Sequence, residues 1–290
     1  MDMARYDFAN VLFGGPCNQR CTGCIGHLLD PRLSDDNLHE YPLRNQELFA
    51  SLLHEHGIRQ VVFTGTTTDP QLYDHEVRLI DWMRRQVPGV QISLHTNGQL
   101  AMARMEILNR YDRVTISLPS FDRATCARMT GTRHMPDLAG ILKSAHIPVK
   151  VSCLVTGENA HQIGDFLARC RDMGVRRVVI RRQYVVPSQG QRRTEPLLRT
   201  RRRLKPSIQT RMRMAGCRPV AVYRGNPVYE YGGMEVTYWD FAQSTSTSLN
   251  LFSDGTISAE YLMVRSQKIY GSFTPFPSTW GGKPAIMEPR

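Results

Sequence analysis

From Asp7 to Arg181, short apolar runs of strand length alternate with longer segments whose apolar residues recur at helical spacing. Asp7 to Phe13 is the first strand. Leu43 to His56 reads as a helix stopped by Gly57, and Gln60 to Thr64 as a second strand closing on Gly65. Tyr73 to Gln86 is helical, with Pro88-Gly89 as its end. Val90 to His95 is a strand that runs into Thr96-Asn97-Gly98, and Leu100 to Arg110 is the next helix. Arg113 to Leu118 is the fourth strand, followed by two short helical stretches before His146. Ile147 to Val155 is the fifth strand, His161 to Met173 a helix ended by Gly174, and Val175 to Arg181 the sixth strand.

Strands joined by helical crossovers run parallel, and right-handed crossovers curl such a sheet. The expected fold class is therefore α/β, a partial (βα)6 TIM-like barrel over residues 1–182. Residues 183–290 are expected to be an Arg-rich segment and a β-rich C-terminal extension that covers one side or the mouth of the barrel. In that tail, strand-like pieces fall at Val220 to Tyr223, Met234 to Trp239, Ser248 to Phe252 and Ile257 to Val264. Ser253-Asp254-Gly255-Thr256 has the character of a hairpin turn. In barrels of this kind the chemistry sits on loops at the C-terminal ends of the strands.

The length of 290 residues and a hydrophobic fraction of 41% fit one large domain with a sizeable core. No apolar run is long enough to span a membrane and no secretory signal pattern opens the chain, so a cytoplasmic location is expected. Net charge is +11, with arginine outnumbering lysine, which favours anionic partners. Much of the excess lies between Gln191 and Arg213, where Arg192, Arg193, Arg199, Arg201, Arg202 and Arg203 fall together. Such a run serves as a solvated surface, a phosphate or carboxylate clamp, or a polynucleotide contact.

Cysteine usage sharpens the picture. Of seven cysteines, Cys17, Cys21 and Cys24 crowd into eight residues directly after the first strand. In a reducing compartment this crowding reads as a metal site rather than a disulfide framework. Three thiolates on a tight loop bind three irons of a cubane and leave the fourth iron open to a reacting ligand. The competing single-ion reading is a zinc site of Cys17, Cys21, Cys24 and His27, in a zinc-stapled protein that binds nucleic acid through the Arg run.

The sequence Cys17-Asn18-Gln19-Arg20-Cys21-Thr22-Gly23-Cys24, placed on a loop ahead of repeating βα units, resembles the radical S-adenosylmethionine (SAM) superfamily. The resemblance implies a [4Fe-4S] cluster on Cys17, Cys21 and Cys24, with SAM chelated at the open iron. It further implies an electron donor of flavodoxin or ferredoxin type and hydrogen abstraction by a 5′-deoxyadenosyl radical. By the same resemblance Gly65, Thr66 and Thr67, with Asp69, occupy the loop that holds the SAM amino group. Asn97, Ser117, Ser152 and Arg181 are its further cofactor-binding candidates, Arg181 or Arg182 being suited to the SAM carboxylate. The chain departs from the family pattern at Gly23, where an aromatic residue usually precedes the third cysteine.

Cys217 is the only cysteine beyond residue 170, which argues against auxiliary clusters in the tail. Size and motif style are similar to small radical SAM enzymes of natural-product pathways, neomycin epimerase among them. That similarity implies a small, carbohydrate-like substrate, no membrane partner, no nucleic-acid role, and epimerisation as the leading reaction. Cys217 is then the candidate hydrogen-atom donor, with Cys153 as second choice and Tyr229, Tyr231 and Tyr238 as relays. Asp240, Glu230, Glu235 and Glu260 are candidates for an acidic patch that would suit a cationic sugar. Dehydrogenation, or C–C bond formation on a nucleoside or phosphorylated sugar, is the alternative, and the basic charge balance suits a phosphorylated substrate better.

Overall fold

The six expected strands all form and pair in sequence order. In the computed structural model, which describes residues 6–183 and 206–260 and the backbone of two short strands at 263–264 and 267–268, they are β1 (Phe8–Phe13), β2 (Gln60–Gly65), β3 (Gln91–Thr96), β4 (Arg113–Ser117), β5 (Val149–Val155) and β6 (Arg177–Arg182). Every neighbouring pair is parallel. The intervening helices are α1 (Gln46–Glu55), α2 (Glu76–Gln86), α3 (Met105–Leu108), α4 (Arg123–Thr130), α5 (Leu138–Ser144) and α6 (Ile163–Asp172).

Strand alternation sorts the sheet into two chemically different faces. Val61, Phe63, Ile92, Leu94, Val114, Ile116, Val151, Cys153, Val178 and Ile180 are buried in the apolar layers that the helices cover. The opposite positions are largely polar: Asn10, Ser93, His95, Thr115, Ser117, Lys150, Ser152 and Arg181. The sheet therefore encloses a polar interior while its outer face makes the hydrophobic core.

Local chemistry sets the element ends. Asp122 and Asp137 accept the backbone N–H groups of Thr125 and Gly140, capping α4 and α5. The helix expected from Leu100 shrinks to Met105–Leu108, because Arg104 leaves helical geometry. Its guanidinium is drawn to Gln71 O and to Glu76, the latter at 2.9 Å. The helix expected from Tyr73 begins only at Glu76, since Tyr73 is fully buried and donates its hydroxyl to Glu40 O at 2.7 Å.

The tail differs most from expectation. Its described strands do not cover the barrel; they lengthen its wall at both edges. After α7 (Ile208–Met214) come β7 (Arg218–Tyr223), β8 (Asn226–Tyr231) and β9 (Met234–Trp239), and β9 pairs parallel with β6. Strand β10 (Ser248–Leu251) pairs parallel with β1, and β11 (Ile257–Ser258) folds back on it through the expected Ser253–Thr256 turn. Eight parallel strands thus run β10-β1-β2-β3-β4-β5-β6-β9, flanked by antiparallel β11 and β8-β7; among the described residues no pairing joins the two edges. Strand β8 was not foreseen. Most of the Arg-rich run lies outside the described residues, with Arg211 and Arg213 falling on α7.

Candidate active site

Cys17, Cys21 and Cys24 sit on the loop between β1 and a short 3-10 turn at Ile25–Leu28, at the C-terminal end of the sheet. All three line one cavity of about 780 Å³. Three consecutive threonines after β2 staple the start of this loop. Thr66 donates its hydroxyl to Phe13 O at 2.9 Å and Thr68 donates to Pro16 O at 2.5 Å. Thr67 Oγ1 accepts the Gly15 N–H at 3.1 Å and donates to Gly15 O at 3.2 Å. On its far side the loop rests on the end of α4, with Arg20 N–H donating to Thr130 O at 2.8 Å and Thr22 N–H to Met129 O at 3.0 Å.

Two glycines make this approach sterically feasible. A Cβ on Gly65 would stand 1.7 Å from Thr68 O, and one on Gly26 would stand 2.4 Å from Thr66 O. The hydroxyls of Thr66 and Thr67, expected to serve the cofactor, are thus engaged with the loop backbone. What Thr66 offers the cavity is its carbonyl, which faces the Cys24 thiol at 3.8 Å.

Asp69 also has a different task from the one expected. Its carboxylate accepts from Thr96 Oγ1 at 2.9 Å, from Asn97 N–H at 2.6 Å and from Gln71 N–H at 3.0 Å. Asn97 in turn donates its side-chain amide to Asn18 Oδ1 at 2.7 Å. A buried carboxylate at the end of β2 therefore sets the end of β3, and β3 holds the cysteine loop.

Burial raises all three thiols; Cys21 is pushed up to about 12, first by burial and then by repulsion from Cys24 and Cys17. Three neighbouring thiolates in one half-buried pocket need a cationic partner, which iron supplies. Among the described residues no three His, Cys, Asp or Glu side chains converge on a single ion. A cubane takes one thiolate on each of three irons, and three cysteines on a single loop supply that set. The donor set fits a [4Fe-4S] cluster.

Gly65, Thr66, Thr67, Asn97, Ser117, Ser152 and Arg181 line the same cavity as the cysteines. Cys217 does not. It is buried in the core beneath α6, α7, β8 and β9, and burial raises its thiol to about 11. Cys153 belongs to the same apolar layer, its Sγ directed at Pro119 O at 3.4 Å. Tyr229, Tyr231 and Tyr238 also pack there. None of the tail carboxylates lines the cavity: Asp240 pairs with Arg182 at 2.8 Å, Glu230 with Arg218 at 2.6 Å and Glu235 with Arg177 at 3.8 Å, and Glu260 is buried.

Several lining residues escaped the sequence reading. Thr115 faces the cavity by strand alternation, which was legible. His95 was noted only as a strand end. Phe241 arrives through the β6–β9 pairing, for which local sequence carries no signal. At Gly23 a Cβ would meet Leu154 Cδ2 at 3.0 Å and Gln183 Nε2 at 3.5 Å. Leu154 and Gln183 occupy the space an aromatic side chain would need.

A family model described as the radical SAM superfamily matches residues 11–170, which carry the cysteine loop and five of the parallel strands. The chain belongs to the radical SAM superfamily. Its cofactors are accordingly a [4Fe-4S] cluster and SAM. Among curated proteins it is similar to GTP 3',8-cyclase of Rhodococcus opacus (strain B4), with 30% identity over 168 residues, 55% of this chain and 46% of that protein. It is also similar to GTP 3',8-cyclase 2 of Mycobacterium bovis, with 33% identity over 175 residues, 57% of this chain and 47% of that one. The matches span about half the length of these relatives.

Among solved structures, Streptococcus suis SuiB bound to precursor peptide SuiA aligns with a TM-score of 0.59 at 14% identity, covering 87% of this chain and 59% of that one. The enzyme anSMEcpe with bound AdoMet and Cp18Cys peptide aligns with a TM-score of 0.53 at 14% identity, covering 90% and 75%. These likenesses are of fold alone. The named relatives are cyclases, and none of these proteins is an epimerase by name. No helix among the described residues is long and apolar enough to cross a membrane.

Proposed function

We propose that this radical SAM enzyme abstracts a hydrogen atom from a small, nucleotide-like anionic substrate and sets up formation of a new C–C bond, rather than epimerising a cationic sugar. The carrying observation is the charge of the cavity. Arg20, Arg181 and Arg182 line it, against the single carboxylate of Asp69, which is already engaged by Thr96, Asn97 and Gln71. A polycation would be repelled by these walls and an anion drawn in. The likeness to GTP 3',8-cyclases over the barrel supports the nucleotide class.

When bound, the cluster and SAM supply the 5′-deoxyadenosyl radical, with one electron from a flavodoxin- or ferredoxin-type donor. The chain's own residues position the partners. Gly65, the Thr66 carbonyl, Thr67 and Asn97 form the wall beside the cysteines and are assigned to SAM; Ser117, Ser152 and Arg181 continue that wall into the barrel. Asp240 orients Arg182 at the rim, and Phe241 beside it offers a flat apolar surface for a base.

The test is formation of 5′-deoxyadenosine, followed by mass spectrometry, over a panel of nucleoside triphosphates, nucleosides, sugar phosphates and aminoglycosides. A nucleotide is expected to raise it above the substrate-free rate. Stimulation by aminoglycosides alone would overturn the reading.

A further inference from the structure

Below the mouth, the polar interior carries a cluster of basic side chains, of which His95 and Lys150 lie outside the residues assigned to SAM. His95 on β3, Thr115 on β4 and Lys150 on β5 are direct partners in one row across the sheet. Their side chains share a face: His95 and Thr115 line the cavity, and Lys150 lies on the same side of β5 as the cavity residues Ser152 and Leu154. Arg181, on the same face of β6, lines the cavity above this row. A polar floor of Gln60, Gln91 and Arg113 lies on the N-terminal side, with Arg113 Nη2 donating to Gln91 Oε1 at 3.2 Å.

Lys150 has no hydrogen-bond or ion-pair partner among the described residues, nor has His95. Glu235, the carboxylate that draws on Lys150, is half exposed and pairs with Arg177. The strain of this arrangement appears in the titration of both groups. Burial, then Arg181 and Arg113, lower Lys150 to about 8. Burial, then Arg181, Lys150 and Arg113, hold His95 well below its ordinary value. A half-buried ammonium with cationic neighbours is costly unless an anion joins it. The hydroxyls of Thr115, Ser117 and Ser152 add neutral donors on the same wall, giving more donors than a carboxylate's two oxygens need and enough for a phosphate.

We propose that the His95–Thr115–Lys150 row, with Arg181 above it, binds a phosphate group of the substrate. This rests on reading the barrel interior as the substrate chamber, and it places the anionic end of the substrate deep, with its remainder toward the cysteine loop.

The test is calorimetric titration of anaerobically reconstituted, SAM-loaded holoenzyme with inorganic pyrophosphate, GTP and guanosine. Pyrophosphate and GTP are expected to bind, with guanosine at least about tenfold weaker than GTP. Lys150→Met and His95→Gln should each weaken pyrophosphate and GTP binding about tenfold, the loss of one charge-assisted contact. Lys143→Met, an exposed site on α5, should leave it unchanged. An unaltered SAM-dependent electron paramagnetic resonance (EPR) signal reports that each variant is folded and loaded. Absence of binding by wild-type holoenzyme, or binding indifferent to both Lys150→Met and His95→Gln, overturns the site. Binding through Lys150 without 5′-deoxyadenosine formation from any nucleotide would uphold the anion site and overturn the functional reading; the reverse pattern would do the opposite.

Discussion

The Asn97 side-chain amide donates to Asn18 Oδ1 at 2.7 Å, joining the end of β3 to the residue after the first cluster cysteine. Asn97 is itself fixed by its N–H bond to Asp69. Removing the Asn97 side chain loses two partly buried contacts, to Asn18 Oδ1 and from the Gln99 N–H, worth about 1 kcal/mol each, whereas removing the Asp69 carboxylate strands the Asn97 and Gln71 N–H groups and leaves the Thr96 hydroxyl only Gln71 Oε1 as acceptor. We expect Asn97→Ala to lower iron retention modestly and Asp69→Ala to cost roughly 2–4 kcal/mol. Iron per chain after reconstitution, with denaturant unfolding, checks both.

The close approach of the β2 loop to the cysteine loop predicts a steric effect. Gly65→Ala places a methyl 1.7 Å from a backbone carbonyl, which no side-chain rotation relieves. Backbone must move, at a cost of roughly 1–3 kcal/mol or more. Thermal unfolding should show a lower midpoint than wild type, and cluster loading should fall with it. Gly57→Ala, whose Cβ meets nothing within 4 Å but whose φ is +62°, should load normally with a small loss of stability.

Glu76 gives the fold a pH signature. It accepts the Tyr111 hydroxyl at 2.6 Å and faces Arg104 at 2.9 Å, yet burial dominates and raises it from 4.5 to about 7. Across that window the unfolded chain has released the proton that folded Glu76 keeps. Its contribution to stability is therefore present at low pH and is lost as pH rises from about 4.5 to about 7, by roughly 3 kcal/mol. Glu76→Gln should remove this part of the slope in denaturant melts taken at a series of pH values.

Cys217 lies in the core rather than at the cavity. Cys217→Ala should lower stability by about 1 kcal/mol through lost packing and leave 5′-deoxyadenosine formation unchanged. Loss of product formation with SAM cleavage retained would restore the thiol as a hydrogen-atom donor.

Much of this arrangement was legible in the sequence. The six strands and the position of the cysteine loop follow from apolar periodicity and from glycine stops such as Gly57 and Gly174, and alternation puts Lys150 and Ser152 on one face without saying which. The roles of Thr66, Thr67 and Asp69 were not legible. A hydroxyl or carboxylate on a polar turn reads the same whether it meets a ligand or a neighbouring backbone, and only the three-dimensional approach of Gly15 and Asn97 decides. The pairing of the described tail strands was not foreseen, because β9 and β10 find their partners far along the chain, at β6 and β1, where short-range pattern carries no information.

The proposed role of Cys17, Cys21 and Cys24 is to hold a cubane with one iron left for SAM. EPR of the anaerobically reconstituted, reduced protein, recorded with and without SAM, addresses it most directly. The expected result is a cubane signal that changes on adding SAM and is lost when any of the three cysteines is replaced by alanine. A protein that binds no cubane, or one whose signal is indifferent to SAM, would contradict it.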